Sequence, residues 1–282
     1  MGGDVFKPDE NGLMNLAPVE TESGLIKAGI TVRHGGVSAS PFASLNLGYH
    51  VGDDPAAVTE NRRRVAGNIG LSLSRWVQAE QVHGAAVQRV TGADAGKGAL
   101  DIASAIKGVD GLYTTETDLV LTGCFADCVP LFFWSKKKAV VGLAHAGWRG
   151  TVAGIARVMV ERWTEAFHLH PDEIMVAIGP SIGPCCYEVD DRVAERVHSA
   201  ADGEADRVLK KKENGRYMLN LQELNALILQ KRGIPRGNIL STSFCTSCRH
   251  DLFYSHRKEN GKTGRMLGYI FVAAQDEQQR LR

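Results

Sequence analysis

The chain has 282 residues, with 33 Lys and Arg against 32 Asp and Glu. At a net charge of +1, no global field marks a polyanion or an acidic membrane as the partner. Six cysteines in a chain this long do not make a disulfide scaffold. The most apolar stretch, 119–134, is interrupted by Asp127 and is too short to span a bilayer. The N-terminus lacks the continuous apolar core of a secretory signal. The expectation is a cytoplasmic protein with neither membrane nor nucleic acid as partner.

In chain order, residues 1–24 read as a poorly constrained opening segment, and a strand is expected over 25–33. Arg33-His34-Gly35-Gly36 forms a glycine-rich turn after it. Pro55 opens a helix that carries Val58, Val65 and Ile69 inward. Strands follow at 76–81 and 85–90, and 92–107 is small, polar and loop-like. Two apolar runs, 119–125 and 139–145, read as adjacent core strands. The spacing of Val152, Ile155, Met159, Trp163 and Phe167 predicts one helix over 151–168.

A strand at 174–178 leads into the irregular loop Gly179-Pro180-Ser181-Ile182-Gly183-Pro184. Helices are expected at 190–200 and 220–231, and strands at 239–244 and 267–272. The irregular alternation argues for one α+β domain with mixed sheets over 25–282, not a regular doubly wound sheet. The lysine runs at 136–138 and 210–212 read as solvated faces.

Three segments place a potential ligand at a strand end or turn: Gln81-Val82-His83-Gly84, Asp127-Cys128-Val129-Pro130 and His145-Ala146-Gly147-Trp148-Arg149-Gly150. Two imidazoles and a thiolate suit zinc or copper and leave a fourth position open, although spacing alone does not bring them together. Arg149, beside a helix start, suits an anion such as phosphate. Asp127 fits a proton carrier or a plain turn residue, and Gln81 an orienting group. Cys185-Cys186 and Cys245-Thr246-Ser247-Cys248 look like metal or redox motifs, but a structural zinc site normally needs a second Cys-x-x-Cys pair or histidines at finger spacing, and neither is present. His250 leaves a weak alternative site there.

These motifs, with Ser44-Leu45-Asn46-Leu47-Gly48, Asp53 to Arg62 and Tyr254-Ser255-His256-Arg257, resemble the YfiH/YlmD family across about residues 25–275. Its members have been described as laccase-domain polyphenol oxidases and as purine nucleoside phosphorylases. The resemblance implies a layered α/β/β/α domain, with His83, Cys128 and His145 as both catalytic and metal-binding residues. It implies zinc, with copper as the alternative, and purine nucleosides and phosphate as partners. The implied substrates are adenosine, inosine and 5′-methylthioadenosine, with adenosine deamination as a second reaction.

Arg33, Gln81, Asp127 and Arg149 are then the expected substrate-binding residues, in a monomer or weak homo-oligomer. Cys186 and Cys248 match no family ligand and read as incidental. Two rival activities stay open: copper-dependent phenol oxidation and a cysteine hydrolase using Cys128. The first is poorly served by a single His-x-His pair, His168-Leu169-His170. A non-enzymatic binding role fits everything outside the motifs.

Overall fold

The computed structural model describes residues 4–275. Two mixed sheets pack face to face and helices cover both outer faces, which gives the expected α/β/β/α layering in one compact domain. The first sheet runs Lys7–Pro8, Leu13–Asn15, Gly24–Thr31, Met266–Ala274, Val120–Phe125, Trp76–Gln78, with Val19–Thr21 also paired to Gly24–Thr31. The second runs Ile239–Ser241, Met175–Ile178, Val129–Ser135, Val140–Ala146, Gly111–Thr114, Val87–Arg89. A small third sheet joins Glu188–Val189, Tyr217–Leu219 and Leu209–Lys211.

Alternation explains the layering. In the strand Val129–Ser135, Phe132 and Trp134 enter the core between the sheets, whereas Val129, Leu131 and Phe133 face the helices. The strand is buried on both faces, so it reads as a continuous apolar run without visible alternation. On the helical side, Ile155, Met159 and Trp163 of the helix Ile155–Phe167 pack with Leu224 and Ile228 of the helix Leu221–Lys231. On the opposite outer face, Val65, Ala66 and Ile69 of the helix Pro55–Ile69 cover Val120 and Phe271. That helix starts where expected: Asp54 caps it by accepting from the Ala56 N–H, and Pro55 stands at its first position.

Four expectations change. The opening segment is not loose, because 6–21 supplies three short strands and buries Phe6, Leu13 and Met14. The runs at 119–125 and 139–145 are not paired neighbours; they lie in different sheets and face each other across the core. The strand Val129–Ser135, hidden in the apolar stretch between them, is the true partner of Val140–Ala146. The helix expected over 151–168 is two helices, Trp148–Val152 and Ile155–Phe167, divided at Gly154, whose φ of 87° breaks the helical path.

The lysine runs lie at the surface, with Lys137 paired to Glu173 and Lys212 to Glu188. No helix among the described residues is long and apolar enough to cross a membrane.

Candidate metal centre and its cavity

The chain crosses from the first sheet to the second twice, and each crossing carries one candidate ligand. His83 lies on the link from Trp76–Gln78 to Val87–Arg89, and Cys128 on the tight link from Val120–Phe125 to Val129–Ser135. His145 ends the inner-facing row Val141, Leu143, His145 of a central strand, against the ring of Phe125 from the other sheet. The open end of the sandwich therefore collects all three. Their ligand atoms lie within 4.8 Å of one another, and the two imidazoles meet edge to face at 4.8 Å between centroids.

Backbone strain is concentrated here. Gln81, His83 and Asp127 have φ of 65°, 63° and 82°, each in the left-handed region that non-glycine residues rarely adopt. Each costs on the order of 1–3 kcal/mol and persists only where surrounding bonds fix it. Asp110 provides such bonds. Its buried carboxylate accepts the N–H groups of His83 at 2.9 Å and Gly84 at 2.7 Å, and lies 2.9 Å from His145 Nδ1.

With Nδ1 donating to Asp110, His145 presents Nε2 to the site, the arrangement that orients metal-binding histidines. Sequence reading missed Asp110, since a single aspartate before a strand carries no spacing signal.

The electrostatics follow from the packing. Burial pushes the Cys128 thiol up, but His145 and His83 outweigh it and bring the thiol down to about 6. Burial lowers His145, whereas the Cys128 thiolate and Asp110 more than compensate and raise it to about 9. Without a cation, the neutral-pH form is a thiolate beside an imidazolium. Because the folded thiol titrates low, its reactive anion persists above about pH 6. In metal-free protein, alkylation of Cys128, followed by peptide mass spectrometry, is expected to reach half its plateau rate near pH 6. A midpoint near the ordinary thiol value of about 8.5 would contradict this charge pairing.

Gly147 is required by space. A Cβ there would lie 2.9 Å from Cys128 Sγ and 3.3 Å from His83 Cδ2, although its φ of −63° suits any residue. Gly147→Ala is expected to lower kcat/KM on the order of 10²-fold by displacing two ligands, with little change in melting temperature. A melting loss that matches the activity loss would point to general misfolding instead.

The three candidate ligands open into a cavity of about 570 Å³. Its walls include Trp148, Arg149, Tyr187, Arg257 and Arg265. Arg149 stacks on Trp148 and Arg257 on Tyr187, with guanidinium carbons 5.1 and 5.2 Å from the ring centroids. Among the described residues, none of these three arginines is within salt-bridge distance of a carboxylate.

The remaining expected residues divide. Gln81 and Asp127 line the cavity but spend their polar atoms on the fold. The Gln81 amide makes both bonds to the Cys124 backbone, at 2.7 and 2.8 Å. Asp127 accepts from Thr246 Oγ1 at 2.6 Å and the Arg257 N–H at 2.7 Å. Arg33 is outside the cavity walls. It ion-pairs with Glu259 at 3.0 Å and stacks on Tyr254, so it ties the 33–44 turn to the C-terminal loop. Arg257 and Arg265 line it instead; of the two, only Arg257 belongs to the Tyr254-Ser255-His256-Arg257 motif.

The family model described as "Multi-copper polyphenol oxidoreductase laccase" matches residues 27–273. The chain belongs to this family. Two curated relatives are each 48% identical to it. The protein "Purine nucleoside phosphorylase YlmD" of Geobacillus stearothermophilus aligns over 267 residues, 95% of this chain and 97% of that one. The protein of the same name in Bacillus subtilis aligns over 243 residues, 86% and 87% of the two chains. The crystal structure of YlmD from Geobacillus stearothermophilus superposes with a TM-score of 0.93 at 48% identity, covering 96% of this chain and 100% of that chain. The layered fold is thus shared by this laccase-like family member and a solved relative.

Proposed function

We propose that this chain is a purine nucleoside phosphorylase that transfers the ribosyl group of inosine or adenosine, or the 5-methylthioribosyl group of 5′-methylthioadenosine, to phosphate. The observation that carries the reading is one cavity with a His/Cys/His ligand set at its base and three arginines free of carboxylates in its wall. The names of the relatives at 48% identity support the same activity.

His83, Cys128 and His145 would hold the metal. Two imidazoles and a thiolate with a carboxylate behind one histidine form a donor set that suits zinc and also accepts copper. When bound, such an ion supplies Lewis acidity to the departing base. The chain's own groups do the rest. Arg149, Arg257 and Arg265 hold the phosphate oxygens, for which planar guanidinium groups suit bidentate contacts. Trp148 and Tyr187 offer ring faces and edges to a purine. The C–N glycosidic bond breaks as an oxygen of hydrogen phosphate bonds to C1′, and the proton that the phosphate gives up ends on the departing base.

Deamination of adenosine fits the same pocket as a second reaction. Incubation with inosine or adenosine, with and without phosphate, separates the two by chromatography. Phosphate-dependent release of free base is expected, whereas inosine formed from adenosine without phosphate reports deamination. No turnover of either nucleoside would overturn the assignment.

A second reading has one specific support: the Asp110, His145, Cys128 line has the order of an oriented nucleophile–base pair. Stoichiometric metal bound through Cys128 counts against that hydrolase. The multi-copper reading lacks donors. Only two convergent His/Cys/Asp/Glu groups occur among the described residues, and neither contains His168 or His170.

A further inference from the structure

A second set of donors lies away from the nucleoside cavity. Cys185 and Cys186 follow Gly179-Pro180-Ser181-Ile182-Gly183-Pro184, and Cys245 and Cys248 sit on the loop after Ile239–Ser241. Backbone bonds join these loops: Ser181 bridges Cys245, and the Thr246 N–H donates to the Ser181 carbonyl at 3.0 Å. The four sulfur atoms all lie within 4.8 Å of one another. Cys248 Sγ is 3.4 Å from Cys185 Sγ and 3.5 Å from Cys186 Sγ.

We propose that Cys185, Cys186, Cys245 and Cys248 form a structural zinc site of the four-thiolate type. This replaces the reading of Cys186 and Cys248 as incidental. The missing second pair is present as two adjacent cysteines rather than as Cys-x-x-Cys.

Three observations support it. First, the separations fit: with Zn–S of about 2.3 Å, the sulfurs of a tetrahedral site lie about 3.8 Å apart. They are far outside the S–S bond length of about 2.05 Å, so these are four separate thiols. Second, the donor set is complete and purely thiolate, which closes the coordination shell as structural zinc sites do and selects soft ions. Third, the surroundings suit thiolates. The Gly183 N–H points at Cys245 Sγ from 3.1 Å.

The placement gives the ion a task. Ile182 and Tyr187, on the first cysteine loop, line the nucleoside cavity, and the Ile182 N–H donates to the Asp127 carbonyl at 3.0 Å. Thr246, on the second loop, holds the carboxylate of Asp127, the residue preceding Cys128. Zinc would clamp the first loop, which lines the cavity, to the second, which holds Asp127.

The test needs no assumption about catalysis. In protein isolated with reductant under anaerobic conditions, one zinc per chain is expected to remain in the Cys128→Ala/His145→Ala double variant. X-ray absorption should show four sulfur neighbours at about 2.3 Å. Adding Cys185→Ser and Cys248→Ser should remove that equivalent. Wild-type protein gives a control independent of folding of the variants. Cys185 and Cys248 are exposed, so N-ethylmaleimide should label them only after a strong chelator is added. Immediate labelling without chelator, a metal-free double variant, iron or copper in place of zinc, or an intact mass lowered by disulfide formation would each overturn the proposal.

Discussion

Cys128→Ala is expected to reduce phosphorolysis of inosine at least about 10²-fold, beyond the usual 10–100-fold cost of losing a supporting group outside the ligand shell. The thiolate is the only anionic donor of the His83, Cys128, His145 set, and its removal leaves two imidazoles 4.8 Å apart with no negative charge between them. The variant should retain its fold, because Cys128 is only partly buried and alanine vacates space toward the cavity. Steady-state kinetics and metal content per chain check this together. Full activity with an unchanged metal content would remove Cys128 from the site.

The second large effect belongs to Asp110. Asp110→Asn keeps the size of the side chain but replaces one carboxylate oxygen with an amide donor. That group cannot accept from His83, Gly84 and His145 together. A 10–100-fold loss of metal affinity is expected, with a matching fall in kcat/KM. The His145 imidazole should also titrate below its value of about 9 in metal-free protein, since part of the charge that raises it is gone. NMR titration of the imidazole separates this from a merely structural defect. A wild-type His145 titration with reduced activity would mean that Asp110 acts only on the 83–84 loop.

Much of the secondary structure was legible because its signals are local. The helix Pro55–Ile69 carries its own cap and proline, and the helices Asp191–Ala201 and Leu221–Lys231 carry capping Asp190 and Asn220. The strand Val129–Ser135 was not legible, because burial on both faces erases the period-two pattern. The split at Gly154 was hidden because an apolar spacing continues across it. Arg33 shows a related limit. An arginine beside two glycines looks the same whether it binds phosphate or, as here, Glu259 and the ring of Tyr254.

By itself the sequence determined the residue types of the chemistry: two histidines, a cysteine and arginines at the ends of apolar runs. It also determined the mixed α+β class, through hydrophobic periodicity and capping. Only the tertiary structure decided which of these groups meet. The two crossings between sheets bring His83 and Cys128 to the end of the strand that carries His145. Asp110, Arg257 and Arg265 joined the site, and four cysteines from two loops converged. Such meetings depend on how sheets stack and loops close, contacts that are non-local and leave no spacing in the chain.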